Sequence, residues 1–213
     1  MKLNLLRPKS LLGDGGSGMR QAAREQRIAK WIDTNCGEWS EQDISNRVLI
    51  AGKDGAIQHH ALGVARALAS REELTLLVDT SQSALAVSSL LGLPRSPGLA
   101  ELCQGRAEFD GVIRRDPRGD CHFIGSGRPR AVGGPWGEPG AADSVFRALD
   151  EAYHWIVFCA EFDEAQGLAD NMRRQFSAAV VVEDRQRQQD AFASIPLARH
   201  DFPILRLSDH SRD

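Results

Sequence analysis

The sequence predicts a doubly wound α/β fold with a mostly parallel sheet, and three features carry that prediction. Residues 48–51, 74–78, 155–159 and 178–182 are short, continuous apolar runs, the pattern of strands covered on both faces rather than one. Segments with apolar residues at helical spacing lie between them, and parallel neighbours need such crossovers. The runs end in Gly, Asp or other turn-forming residues, as strands do where they enter loops.

Each element follows in chain order. Residues 1–45 read as a leader in which Gly13, Gly15, Gly16 and Gly18 make 12–18 a flexible segment. Residues 21–33 carry Ile28, Trp31 and Ile32 among charges and predict a short amphipathic helix. The strand at 48–51 runs into a turn, and Leu62, Ala65, Leu68 and Ala69 predict a helix over 60–70. The strand at 74–78 ends at Asp79. A helix over 84–91 is broken by Pro94 and Pro97, and a short one follows at 99–103. Residues 122–124 predict a brief strand before a Gly/Pro-rich loop over 128–140.

Asp143 is the expected N-cap of a helix carrying Val145, Phe146, Leu149 and Ala152. After the strand at 155–159 come a helix over 163–175, a strand at 178–182, a helix over 186–192 and a last strand at 204–207. One domain spanning 46–210 is expected.

Bulk properties exclude several classes of function. The net charge of −3 and pI of about 6.1 give no broad attraction to nucleic acid or anionic lipid. No run approaches the roughly 20 apolar residues of a membrane span, so no direct membrane insertion is expected and the chain reads as cytoplasmic. Cys36, Cys103, Cys121 and Cys159 form no C-x-x-C pair, which argues against a disulfide framework or structural zinc.

In an open parallel sheet the ligand site lies beyond the carboxyl ends of the strands, so the residues after Ala51 are where phosphate chemistry belongs. A working G-x-x-x-x-G-K-[ST] loop cradles phosphate on backbone N–H groups, with Lys neutralising charge and a hydroxyl holding Mg²⁺. Here the residues are Gly52, Lys53, Asp54, Gly55, Ala56, Ile57, Gln58, His59 and His60. Ile57 or Gln58 stands where Lys belongs, Gln58 or His59 where the hydroxyl belongs, and Ala56 or Ile57 where the last glycine belongs. Lys53, Gly55, Gln58 and His59 are the residues of this vestigial phosphate loop, able to meet an anion weakly. His59 and His60 are adjacent on a helix and point about 100° apart, which disfavours a shared metal. Asp79, at a strand end, is either a retained metal-site carboxylate and candidate catalytic residue or the cap of the next helix. Arg114, Arg115, Arg118, Arg128 and Arg130 make a basic set, tempered by Asp116 and Asp120.

From Arg47 to about Arg185 the chain resembles the cytoplasmic tyrosine autokinase domains of bacterial capsule and exopolysaccharide export, relatives of the MinD/ParA ATPases with a P-loop NTPase-like fold. The resemblance is carried by the helix at 61–69, by Leu76-Leu77-Val78-Asp79, and above all by 90–102 (LLGLPRSPGLAEL) with Gly105 and Val112-Ile113-Arg114. Residues 121–127 and 151–158 continue it. The 90–102 phrasing argues for the polysaccharide branch over a positioning ATPase.

The departures fall in the catalytic loops. Cys159, or Ala160 in a shifted register, occupies the position of the second metal carboxylate, with Glu161 and Asp163 nearby. The only tyrosine is Tyr153, so the family's tyrosine-rich acceptor segment has no counterpart. Phosphoryl transfer depends on positioning and charge stabilisation. Losing the Lys, the hydroxyl and a carboxylate removes on the order of 5 kcal/mol, several powers of ten in rate.

The resemblance with these losses implies a degenerate accessory protein of exopolysaccharide production. It is expected to need no cofactor. It is expected to dock on a polysaccharide chain-length or export membrane protein, or on an active paralogue, at the inner face of the cell membrane. Self-association is a further expected option. The alternative is an active ATPase or tyrosine autokinase using ATP and Mg²⁺ through Lys53 and Asp79.

Overall fold

The computed structural model describes residues 15–36, 45–52, 56–81, 86–128, 141–171, 176–184, 197 and 201–209. Seven strands form one sheet: β1 (Asn46–Gly52), β2 (Thr75–Asp79), β3 (Arg114–Arg115), β4 (His122–Ile124), β5 (Trp155–Glu161), β6 (Ala178–Asp184) and β7 (Ile204–Asp209). Their order is β3-β4-β2-β5-β1-β6-β7, and every pairing is parallel except the two-residue edge strand β3 on β4. This is the α/β fold with a mostly parallel sheet that the apolar runs predict. The central strands carry continuous apolar runs because both faces are covered: Val48 to Ala51 and Ile156 to Ala160 are fully buried.

Strand alternation sorts the core into two layers. Val48, Ile50, Leu77, Val157 and Cys159 face α1 (Gly15–Cys36) and α2 (Ala56–Ala69). Leu49, Ala51, Leu76, Val78, Phe158 and Ala160 face the opposite layer, with Phe146 and Leu149 of α6 (Ala141–Ala152) and Ala165 and Leu168 of α7 (Phe162–Asn171). Phe158 meets Phe146 and Phe176 edge to face at 5.5 and 5.4 Å, and Phe176 meets Phe202, closing that layer. At the amino end of β1, Arg47 donates to Asp150 of α6 at 2.6 and 3.0 Å, with Ser45 Oγ on the same carboxylate. This buried fork pins the last turn of α6 at the amino end of β1.

Short helices connect the remaining strands: α3 (Val87–Leu91), α4 (Leu99–Cys103) and α5 (Phe109–Val112). Several boundaries differ from the sequence expectation. Helix α1 begins at Gly15, inside the segment expected to be flexible, and runs 22 residues because Ile28, Ala29 and Ile32 are buried against α2. Helix α6 begins at Ala141, so Asp143 lies in its first turn rather than at the cap. There its charge still complements the helix dipole. α2 begins at Ala56, four residues before the periodic apolar pattern, which puts Gln58 and His59 on the helix rather than in a loop. The expected helix at 186–192 and most of the 128–140 loop lie outside the described residues.

Candidate functional site

The carboxyl ends of β1, β2 and β5 meet side by side. Asp79 is the register partner of Cys159, Cys159 is also the partner of Ile50, and Gly52 is the partner of Glu161. Thr80 strengthens this junction by donating both its N–H and its hydroxyl to the Cys159 carbonyl at 3.0 Å. Gly52 is required by packing as strand gives way to loop: a Cβ there would meet the Val182 carbonyl oxygen at 2.8 Å. Of the four vestigial-loop residues, Lys53 and Gly55 lie outside the described residues. Gln58 is 1% exposed within the first turn of α2, and its Oε1 has no hydrogen-bond partner among the described residues. His59 is exposed and His60 is buried, so the two rings diverge as adjacent helical residues must.

Asp79 is fully buried, and both its oxygens are engaged. Oδ1 accepts the Ser81 N–H at 3.0 Å and Oδ2 the Val87 N–H at 2.8 Å. Ala86, at the N-cap of α3, has no side chain able to cap, so Asp79 supplies the acceptor from eight residues upstream. Burial raises the Asp79 carboxyl to about 7, against the lowering effect of the Ser81 and Val87 N–H groups and of Arg95, with Glu164 adding to the rise.

Cys159, where the second metal carboxylate is expected, is fully buried. Burial, with Asp79, Glu164 and Glu161 nearby, pushes its thiol well above the ordinary range and keeps it protonated. Glu161 lies two residues on, on the same strand face but about 7 Å further along. Its N–H donates to Glu164 Oε2 at 3.2 Å.

A second cluster braces the outer rim. Arg95 donates through Nη2 to the Ser81 carbonyl at 3.0 Å and through Nε to Ser126 Oγ at 2.8 Å, tying the β2 exit to the β4 exit. Glu101 accepts from Ser96 Oγ at 2.7 Å, from the Gly98 N–H at 3.0 Å and from the Arg128 N–H at 3.1 Å. Burial raises the Glu101 carboxyl, but these donors outweigh it and the net displacement is downward. Gly98 leaves no room for a side chain, since a Cβ would fall 2.6 Å from the Gly127 nitrogen. Arg95, Gly98 and Glu101 all lie in the 90–102 stretch. Sequence reasoning singled out that stretch for its phrasing, and the bonds assign these residues a scaffold role that phrasing alone does not disclose. In the basic set, Arg115 pairs with Asp120 at 3.0 Å and Arg114 donates to the carbonyls of Gly111 and Pro97, while Arg130 lies outside the described residues.

A magnesium nucleotide fits the described residues poorly. It would engage Asp79, whose burial favours the neutral form and whose two oxygens each already accept one N–H of the chain. It would also need a hard oxygen donor where a protonated thiol sits. Among the described residues, no group of three or more His, Cys, Asp or Glu side chains is arranged to hold a metal ion.

No family model matches the chain, and no curated protein matches it in sequence. Solved structures do match its fold. The VpsO kinase domain is 15% identical, with 90% of this chain and 98% of that chain covered and a TM-score of 0.67. The kinase domain of the Escherichia coli tyrosine kinase ETK is 13% identical over 98% of this chain and 82% of that one, with a TM-score of 0.68. A ParA family ATPase from Chlorobium tepidum TLS is 15% identical over 79% and 75%, with a TM-score of 0.59. The structural neighbours are therefore bacterial tyrosine kinase domains and ParA-type ATPases, and at these identities the likeness is one of fold.

Proposed function

We propose that this chain is a degenerate kinase- or ATPase-like accessory protein of bacterial exopolysaccharide or capsule production, acting by docking rather than by catalysis. The observation that carries the reading is the Asp79 carboxylate, spent on closing its own loop and capping α3. The sequence phrasing of 90–102 supports the polysaccharide branch, and the fold shared with the VpsO and ETK kinase domains supports the kinase lineage. The occupant of its docking surface is a polysaccharide chain-length or export membrane protein, or an active paralogue. Among the described residues no helix is long and apolar enough to cross a membrane.

Two outcomes separate this reading from an active ATPase that uses Lys53 and Asp79. Co-expression with the neighbouring polysaccharide-export membrane protein is expected to recover a complex in mild detergent and moderate salt. Absence of that complex, together with ATP turnover that Asp79→Ala abolishes, contradicts the accessory reading and establishes the enzyme.

A further inference from the structure

Charge is unevenly distributed along this chain. Residues 1–36 hold seven basic and three acidic side chains, a net +4, so the whole-chain value of −3 leaves −7 on the remainder. Helix α1 then sorts its own charges by face. Glu25 lies over Gly63 of α2, where an added Cβ would collide with its carboxyl group, and Asp33 pairs with Arg71 at 3.1 Å. Both acidic side chains of α1 are thus drawn toward the α2 side, where Ile28, Ala29 and Ile32 are buried.

The basic residues run along the other side. Arg20, Arg24, Arg27 and Lys30 recur at spacings of four, three and three, within about a third of the helix circumference. Arg20, Arg27 and Lys30 are exposed and make no ion pair with described residues. Met19, 78% exposed, flanks them.

We propose that the outer face of α1 is an adsorption surface for anionic lipid headgroups, holding the domain peripherally against a negatively charged bilayer. Segregated charge favours an anionic partner, and the neighbouring composition favours lipid over an acidic protein. Residues 2–12 interleave Lys2, Arg7 and Lys9 with five leucines, the mixture of cations and apolar side chains that partitions to a membrane interface. The acidic remainder of the chain does not prevent this. At physiological salt the screening length is about 8 Å, so charges beyond the first layer are muted while the stripe in contact is not. The proposal is independent of the accessory reading, because it needs lipid alone.

The test is vesicle co-sedimentation of the full chain. The probes are vesicles of phosphatidylcholine alone and vesicles mixed with phosphatidylglycerol, at low and physiological salt. Binding is expected only to the anionic vesicles, weakening as salt rises. Each basic residue near the surface contributes about fivefold, so R20A/R27A/K30A is expected to bind about a hundredfold more weakly. R115A/R118A, on edge strand β3 and the turn that follows it, is expected to bind as the parent does. All five changes are at exposed sites, and an unchanged thermal midpoint establishes that they leave the fold intact.

The parent protein alone decides most of the question. Equal binding to neutral vesicles, or none to anionic vesicles at low salt, overturns the proposal, as does undiminished binding of the triple variant. Concentration-dependent self-association that the triple variant abolishes, without vesicle binding, reassigns the stripe to contact between copies.

Discussion

At the scale of single residues, Asp79 is the side chain on which the chemistry turns. Its carboxyl group has an ordinary value of 3.8 and is lifted to about 7 by burial. Between those values the folded chain holds a proton that the unfolded chain has released, so this group makes stability fall as pH rises from about 4 to about 7. Three units correspond to about 4 kcal/mol as an upper limit. Asp79→Asn removes the titration, so its stability profile across that window is expected to be flatter than that of the parent, as read by urea unfolding at pH 5 and pH 8. Glu101 and Asp116 oppose this slope only at lower pH. Their carboxyls are held below the ordinary range by Ser96, Gly98 and Arg128 in one case and chiefly by Arg66 in the other, both against burial. Glu101→Gln puts an amide donor against donors, and a loss of about 2–3 kcal/mol is expected by chemical denaturation.

At the scale of elements, the parts that were legible beforehand are those whose evidence is local. β5 and β6 announce themselves as apolar runs, and α4 matches the expected 99–103 to the residue. Less legible were boundaries set by tertiary contact. The start of α2 has no periodic signal before His60, and the helix extends to Ala56 because Ile57 is fully buried in the α1/α2 layer. Strand β3 and helix α5 are two and four residues long, too short for any periodic pattern. The glycines of α1 argue for a loop on propensity, and buried Ile28 and Ile32 override them. Ile32→Ala should therefore cost about 2–5 kcal/mol. Amide hydrogen exchange in α1 should accelerate in that variant while β5 stays protected; equal acceleration in both would mean that α1 is no separate packing unit.

The candidate site was legible at the same scale, in location but not in detail. Its expected place beyond the strand ends rests on topology and the proposed loss of a phosphate-binding Lys on residue identity, with Lys53 and Gly55 outside the described residues. That Asp79 is a clasp rather than a free carboxylate follows from Ala86, a residue unable to cap, seven positions from an acceptor that strand β2 happens to deliver. Arg95 and Glu101 act through backbone groups of Ser81, Gly98 and Arg128, partners that side-chain spacing does not encode.

At the scale of the whole molecule, a parallel sheet with two apolar layers carries a rim on which Asp79, Arg95 and Glu101 bind other groups of the chain. Arg95 and Glu101 join the β2 and β4 exits, and Asp79 closes its own loop, so charges that a nucleotide would recruit already have partners within the chain. A scaffold kept while Asp79, Arg95 and Glu101 are engaged within the chain suits the docking role we propose. The most direct measurement is calorimetric titration of the purified chain with ATP, with and without Mg²⁺. The account predicts no magnesium-dependent heat at micromolar protein and nucleotide. A micromolar, magnesium-dependent isotherm that Asp79→Ala eliminates would contradict it.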